Sequence, residues 1–152
     1  MEIVFNESNS NNHLKVLKEL MLKSDEMIFC SGWVKIEGLK LIAKELSLAI
    51  KRNAKITIIT NKEHTNQECI EYLKEYNVNH IIIDSSKRYF HTKMYYFVLN
   101  DNYNVLIGSA NLTSGALKSN EELSVLTSGK IGDNEHKKIA LYLERISREY
   151  NA

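Results

Sequence analysis

The chain has 152 residues, of which 43% are hydrophobic and 26% charged, and a formal net charge of +1. A chain of this size suits one domain that buries roughly two-thirds of its unfolded surface, and the composition excludes a disordered or fibrous protein. The near-neutral balance excludes a polybasic coat that would hold any polyanion, so a cationic surface has to be local.

Residues 2–5 read as a short strand. A polar run over 6–12 then leads into a helix whose Leu14, Leu17 and Met21 have helical spacing, with Asn11 or Asn12 as its cap. The apolar residues 27–30 read as a buried strand ended by Gly32. Leu39, Ile42, Ala43, Leu46, Ala49 and Ile50 then form one long helical stripe. The β-branched stretch 55–60 reads as a central strand, 65–76 as a helix carrying Cys69, Ile70 and Leu73 inward, and 78–83 as another strand. This alternation predicts right-handed crossovers in an α/β fold: a mixed, largely parallel sheet with helices on both faces.

The rhythm changes at Tyr89. An extended apolar run over 89–99, the turn-forming residues 100–104 and the apolar 105–107 predict a β-hairpin. A loop or short helical turn over 114–120, a strand over 122–126 and a C-terminal helix lined by Ile139, Leu143 and Ile146 complete the order. With no proline, linker or repeat to divide it, residues 1–152 are expected to form one domain. The N-terminus lacks a basic region before an apolar stretch, and no window approaches the ~20 apolar residues of a membrane span. A cytoplasmic protein without a membrane partner is expected. Cys30 and Cys69 lie apart within apolar patterns, so buried free thiols are expected, with no metal site and no cofactor.

His91 and Lys93 are two apart on the first strand of the hairpin, so both side chains project from one face. Ser109 and Asn111 follow the returning strand at the same spacing, and Gly108 before them lets backbone come close to a ligand. Imidazole, ammonium, hydroxyl and carboxamide together are the groups that attack and clamp a phosphate. Either half is weak evidence alone, because a lone strand histidine is commonly structural and Gly-Ser-x-Asn is ordinary turn composition. His13, His64, His80 and His136 have no such company and read as surface or packing residues.

His91-Thr92-Lys93 and Gly108-Ser109-Ala110-Asn111 resemble the signature of the phospholipase D superfamily, His-x-Lys, four residues, Asp, then Gly-Ser-x-Asn. Asn120-Glu121-Glu122 resembles the Asn-x-Glu that follows it in the nuclease members. The signature Asp is replaced by Val98, with Asp101 the nearest acidic residue beyond it, and the hairpin is longer, as in the single-motif branch related to restriction nucleases. The resemblance implies a metal-independent phosphodiesterase acting on nucleic acid, DNA before RNA. It also implies a homodimer, because members with two motifs build one site between them. His91 of one subunit would then attack phosphorus to give a phosphohistidine, and the second His91 would protonate the leaving oxygen. Lys93 and Asn111 would hold the non-bridging oxygens, Ser109 would donate a further hydrogen bond, and Glu122 would orient the His91 ring, with Glu121 a bystander.

Substrate contacts are expected from Lys87, Arg88, Lys118 and Asn120, with Lys35 on the same rim. Trp33 and Tyr89 are candidates either to stack on bases or to pack in the core. Two other readings use the same residues: a phospholipid-acting phosphodiesterase, and a nucleic-acid-binding module that keeps the fold without the chemistry.

Overall fold

The computed structural model describes residues 1–86 and 88–150. Seven strands form one mixed sheet in the order β1-β7-β6-β5-β2-β3-β4. They are β1 (Glu2–Phe5), β2 (Glu26–Ser31), β3 (Lys55–Asn61), β4 (Asn79–Ile83), β5 (Lys93–Leu99), β6 (Asn102–Gly108) and β7 (Leu123–Lys130). Parallel pairing joins β2, β3 and β4, and antiparallel pairing joins the rest, so that β5 and β7 run against the other five strands.

Among the described residues six α-helices cover the sheet: α1 (His13–Lys23), α2 (Ile36–Leu41), α3 (Ala43–Lys51), α4 (Gln67–Lys74), α5 (Ser114–Lys118) and α6 (Asn134–Tyr150). Alternation along each strand divides the core in two. Met27 and Phe29 of β2, Tyr95 and Phe97 of β5 and Leu106 of β6 pack with α1 to α5. Cys30, Met94, Tyr96, Tyr103 and Val105 point the other way and are covered by Leu143 and Ile146 of α6. Both cysteines are buried free thiols, and burial pushes the Cys30 thiol up to about 12.

Asn12 caps α1, its side chain accepting from the Lys15 amide at 3.0 Å, which is worth about 1 kcal/mol. The single apolar stripe expected over 39–50 is carried by two helices, α2 and α3, which break at Ile42. The break keeps the stripe buried while redirecting the chain: Ile42, Leu46 and Ala49 remain fully covered. The helix expected over 65–76 is shorter, starting at Gln67 with Asn66 as cap, because a 3₁₀ turn over Lys62–His64 takes up the chain before it. Among the described residues no helix is long and apolar enough to cross a membrane.

Candidate active site

The polar groups singled out in the sequence gather beyond the carboxyl ends of β2, β3 and β6, where open sheets of this kind leave a crevice for ligands. β5 begins at Lys93, so His91 and Thr92 precede the strand on which they were expected. The sheet stops there because β2 ends at Ser31, opposite Lys93, and Gly32 turns away. Gly32 leaves room for the histidine: a Cβ added to it would sit 3.4 Å from His91 Cα and 3.6 Å from Nδ1.

The Lys93 ammonium lies 2.8 Å from Nε2 of the exposed His91 and donates to the His91 carbonyl at 3.1 Å. An ammonium has no acceptor, so this contact requires an unprotonated Nε2, with the proton on Nδ1. Lys93 is half-buried, and desolvation lowers its pKa from the ordinary lysine value while the charge of Glu122 pulls it back up.

Asn111 is fixed by its carbonyl end. Its Oδ1 accepts from the Trp33 backbone amide at 3.1 Å, which turns the Nδ2 amide group outward as a donor. The hydroxyl of Ser109, expected to meet phosphate, accepts from the Leu123 amide at 3.0 Å and lies 3.4 Å from the Leu123 carbonyl. It ties the loop to the start of β7, and its proton is directed at backbone.

Glu122 is half-buried just before β7, and its charge acts on Lys93 and on His13. Among the described residues no hydrogen bond joins it to His91, whose Nε2 faces Lys93. Asn120 is exposed, with its side chain against Gly115 and its carbonyl accepting from Asn6 Nδ2 at 3.0 Å. Arg88 and Lys118 are exposed, and Arg88 lines a cleft of about 330 Å³ between His91 and α6 that Arg145 and Tyr142 border from the helix. Lys87 lies outside the described residues. Lys35 is exposed with its ammonium 5.5 Å from the Trp33 ring centroid. Val98 sits within β5, paired with Glu26 and Tyr103 and packed on the core under α6. Asp25 adjoins this end of the hairpin: its backbone amide donates to the Val98 carbonyl at 2.8 Å, and its Oδ2 lies 3.5 Å from the Asn100 amide.

Several supports carried no signal in the sequence. Buried Tyr95 donates to the Ala110 carbonyl at 2.9 Å, buried Asn61 donates to the Phe90 carbonyl at 2.9 Å, and buried Ser31 accepts from the Leu112 amide at 2.8 Å. Gly38 lets α2 lie against the Asn111 loop, since a Cβ there would meet the Leu112 carbonyl oxygen. His13 is fully buried. Asn6 Oδ1 accepts from the His13 amide and lies 2.8 Å from its Nδ1, so Nδ1 carries the proton and Nε2 accepts from Ser124 Oγ at 2.8 Å. Burial lowers the His13 pKa, with Glu122 opposing. This chain of bonds links α1 to Ser124, against which Gly108 is packed, and through Asn6 to Asn120.

A family model described as cardiolipin synthase, PLD-like domain, matches residues 21–147. No curated protein sequence matches the chain. Among solved structures it is similar to NucT from Helicobacter pylori, at 21% identity and a TM-score of 0.71, covering 91% of this chain and 89% of that one. It is also similar to Nuc from Salmonella typhimurium, described as a phospholipase D family member, at 16% identity and a TM-score of 0.72, over 99% and 93% of the two chains. Yeast tyrosyl-DNA phosphodiesterase matches at 18% identity and a TM-score of 0.58, over 87% of this chain and 33% of that one.

Proposed function

The chain belongs to the phospholipase D-like domain family, and on that premise we propose that it cleaves phosphodiester bonds of nucleic acid through a phosphohistidine formed on His91, without a metal ion. The observation that carries the reading is the placement of His91 Nε2 within 2.8 Å of Lys93 Nζ, beside an Asn111 side chain whose Oδ1 is held by the Trp33 amide. A substrate phosphate entering this corner competes for the ammonium. Lys93 passes to a non-bridging oxygen, and the Nε2 lone pair is released at the moment phosphorus comes within reach.

The Nε2–P bond forms as the bond from phosphorus to the departing sugar oxygen breaks. That oxygen needs a proton, and one His91 cannot be both nucleophile and acid. The proton comes from His91 of the partner subunit, which enters the cycle as an imidazolium carrying a proton on both ring nitrogens, in a twofold dimer whose two corners face each other. The same imidazole then takes a proton from water, whose oxygen attacks phosphorus and expels His91. Two Lys93 ammonium groups and two Asn111 amides hold the non-bridging oxygens through both steps. Ser109 shapes the loop by its bonds to Leu123, and Glu122 sustains the charge on Lys93.

Nucleic acid, DNA first, is favoured as substrate by the exposed Arg88, which shares a cleft with His91; Lys118, Asn120 and Lys87 are the further contacts proposed for backbone phosphates. Tyrosyl-DNA phosphodiesterase, whose fold this chain shares, is named for a DNA linkage. The family description names a lipid enzyme, so phosphatidyl substrates are the comparison that matters. The test is incubation of labelled single- and double-stranded DNA and RNA in excess EDTA. Cleavage is expected to persist, and His91→Ala to reduce it by at least about a hundredfold. Cleavage that needs added divalent metal, or faster turnover of phosphatidyl substrates, overturns the reading.

A further inference from the structure

Trp33 and Tyr89 are 38% and 51% exposed, unusual for two of the largest rings in a chain whose other core aromatics, Phe29, Tyr95, Phe97 and Tyr103, are almost wholly covered. They are also not scattered. Trp33 stacks on His64 with centroids 4.0 Å apart and planes 18° apart. His64 Nε2 lies 3.0 Å from the Tyr89 hydroxyl, and the Tyr89 ring lies 5.6 Å from the ring of His91. The three rings come from three separate segments, after β2, after β3 and before β5, and lie in series beside the reacting imidazole.

Buried groups hold each segment in place. The Val34 amide donates to the His64 carbonyl at 3.3 Å, joining the first two segments. Asn61 reaches the Phe90 carbonyl with Nδ2 and caps the turn before His64 by accepting from the Glu63 amide at 2.9 Å. Ser31 Oγ donates to the Trp33 carbonyl and accepts from Leu112. Trp33 is in addition the residue whose amide orients Asn111. The rings are therefore set in advance relative to the phosphate corner, with little side-chain freedom to lose on binding.

Exposed aromatic rings held rigidly next to a cationic site have the chemistry of a base-stacking surface. Every nucleobase presents a π face, but only a base released from its duplex neighbours offers that face to a protein ring. The Lys35 ammonium lies over the Trp33 ring, 5.5 Å from its centroid, and an arriving base would displace it toward the phosphate that accompanies that base. We propose that Trp33, His64 and Tyr89 form a platform that takes an unpaired base of a single-stranded polynucleotide, next to the phosphate held at His91. The proposal rests on the nucleic-acid reading above and adds to it a strand preference and a subsite.

Trp33 is the one tryptophan of the chain, so its emission reports on this platform alone. The experiment titrates His91→Ala protein, which cannot consume the ligand, with a short single-stranded DNA, the same strand with abasic positions throughout, and its duplex. Saturable quenching by the base-bearing strand is expected, with affinity for the abasic strand and the duplex weaker by about tenfold. Tyr89→Ala, at an exposed position, should narrow the gap between base-bearing and abasic strands. Equal affinity for all three ligands, or binding that leaves Trp33 emission unchanged, overturns the platform, as does failure of every strand to bind. Wild-type cleavage separates the two levels: equal cleavage of base-bearing and abasic strands removes the platform alone, whereas absence of cleavage of any polynucleotide removes the nucleic-acid reading beneath it.

Discussion

The Lys93 ammonium is bonded to the nitrogen of His91 that attacks phosphorus in the proposed reaction, across 2.8 Å, and a half-buried lysine is an expensive partner for that nitrogen. Desolvation lowers the Lys93 pKa, so the folded protein binds this proton less tightly than the unfolded chain does. Below the folded pKa the charged ammonium therefore costs stability, and that cost fades as pH rises through the folded value toward the unfolded one. Lys93→Met removes both the cost and the clamp. Its melting temperature at neutral pH is expected to be at or above that of the parent, with turnover lost. Calorimetry beside a cleavage assay checks this, and a marked fall in melting temperature would assign Lys93 to the fold instead.

Glu122 acts on the same group from the other side. Its charge raises the Lys93 pKa against desolvation, so Glu122→Gln should lower that pKa further. The rate falls as Lys93 loses its proton, and the alkaline limb of kcat/KM against pH should therefore move to lower pH in the variant, with a smaller loss near neutrality. An alkaline limb that stays in place would free Glu122 from this role.

Gly38 tests whether the Asn111 loop needs its exact seat on α2. A Cβ at this position would lie 2.7 Å from Leu112 C and 2.8 Å from Thr113 Cα, contacts that only backbone movement relieves. Gly38→Ala should cost about 1–3 kcal/mol and lower activity by more than that loss of folded protein explains, since the displaced residues adjoin Asn111. Specific activity of the folded fraction, corrected by calorimetry, decides the point. Full specific activity would show that the loop tolerates the shift.

His80 carries an acid-stability prediction independent of the site. Desolvation lowers its pKa from 6.5 to about 4, while its Nε2 lies 2.8 Å from Thr60 Oγ1. The depressed value means that the stability of the neutral imidazole is fully present above about 6.5 and is lost as pH falls through about 4. The full difference is of order 3 kcal/mol. His80→Gln should flatten that part of the stability profile measured by urea denaturation between these limits. An unchanged acid limb would place the proton uptake elsewhere, with His13 the next residue to examine because burial lowers its pKa too.

The fold was legible because periodicity reports burial: the strand at 55–60, the cap at Asn12 and the α6 stripe all follow from local pattern. The break at Ile42 was not, since the apolar spacing continues unbroken across it. Within the candidate site, His91, Lys93 and Asn111 were singled out by type and spacing. The supports did not, because Asn61, Ser31 and Tyr95 matter through bonds to backbone 15 to 81 residues away, and no sequence interval encodes such a contact. His64 was set aside for want of polar neighbours in sequence; its partners are Trp33 and Tyr89, which only the ends of the sheet bring together. The bonds of Ser109 to Leu123 follow from β7 arriving beside it, which its motif does not encode.

The proposed shared site makes a stoichiometric demand. Each corner offers one His91, while the reaction needs a nucleophile and an acid, so a dimer of one wild-type and one His91→Ala chain has a single imidazole and cannot complete the cycle. When wild-type and His91→Ala chains exchange subunits freely, activity should follow the square of the wild-type fraction, about a quarter at equal mixing, whereas independent sites would retain about half. Subunit exchange is followed by light scattering and by mass spectrometry of differently tagged chains, so that an unmixed sample is recognised before rates are compared. A quadratic curve supports a composite site built from two copies of the His91 corner. A linear curve from fully exchanged chains, or a monomer that cleaves at assay concentration, would mean that the proton reaches the leaving oxygen from a group within the same chain.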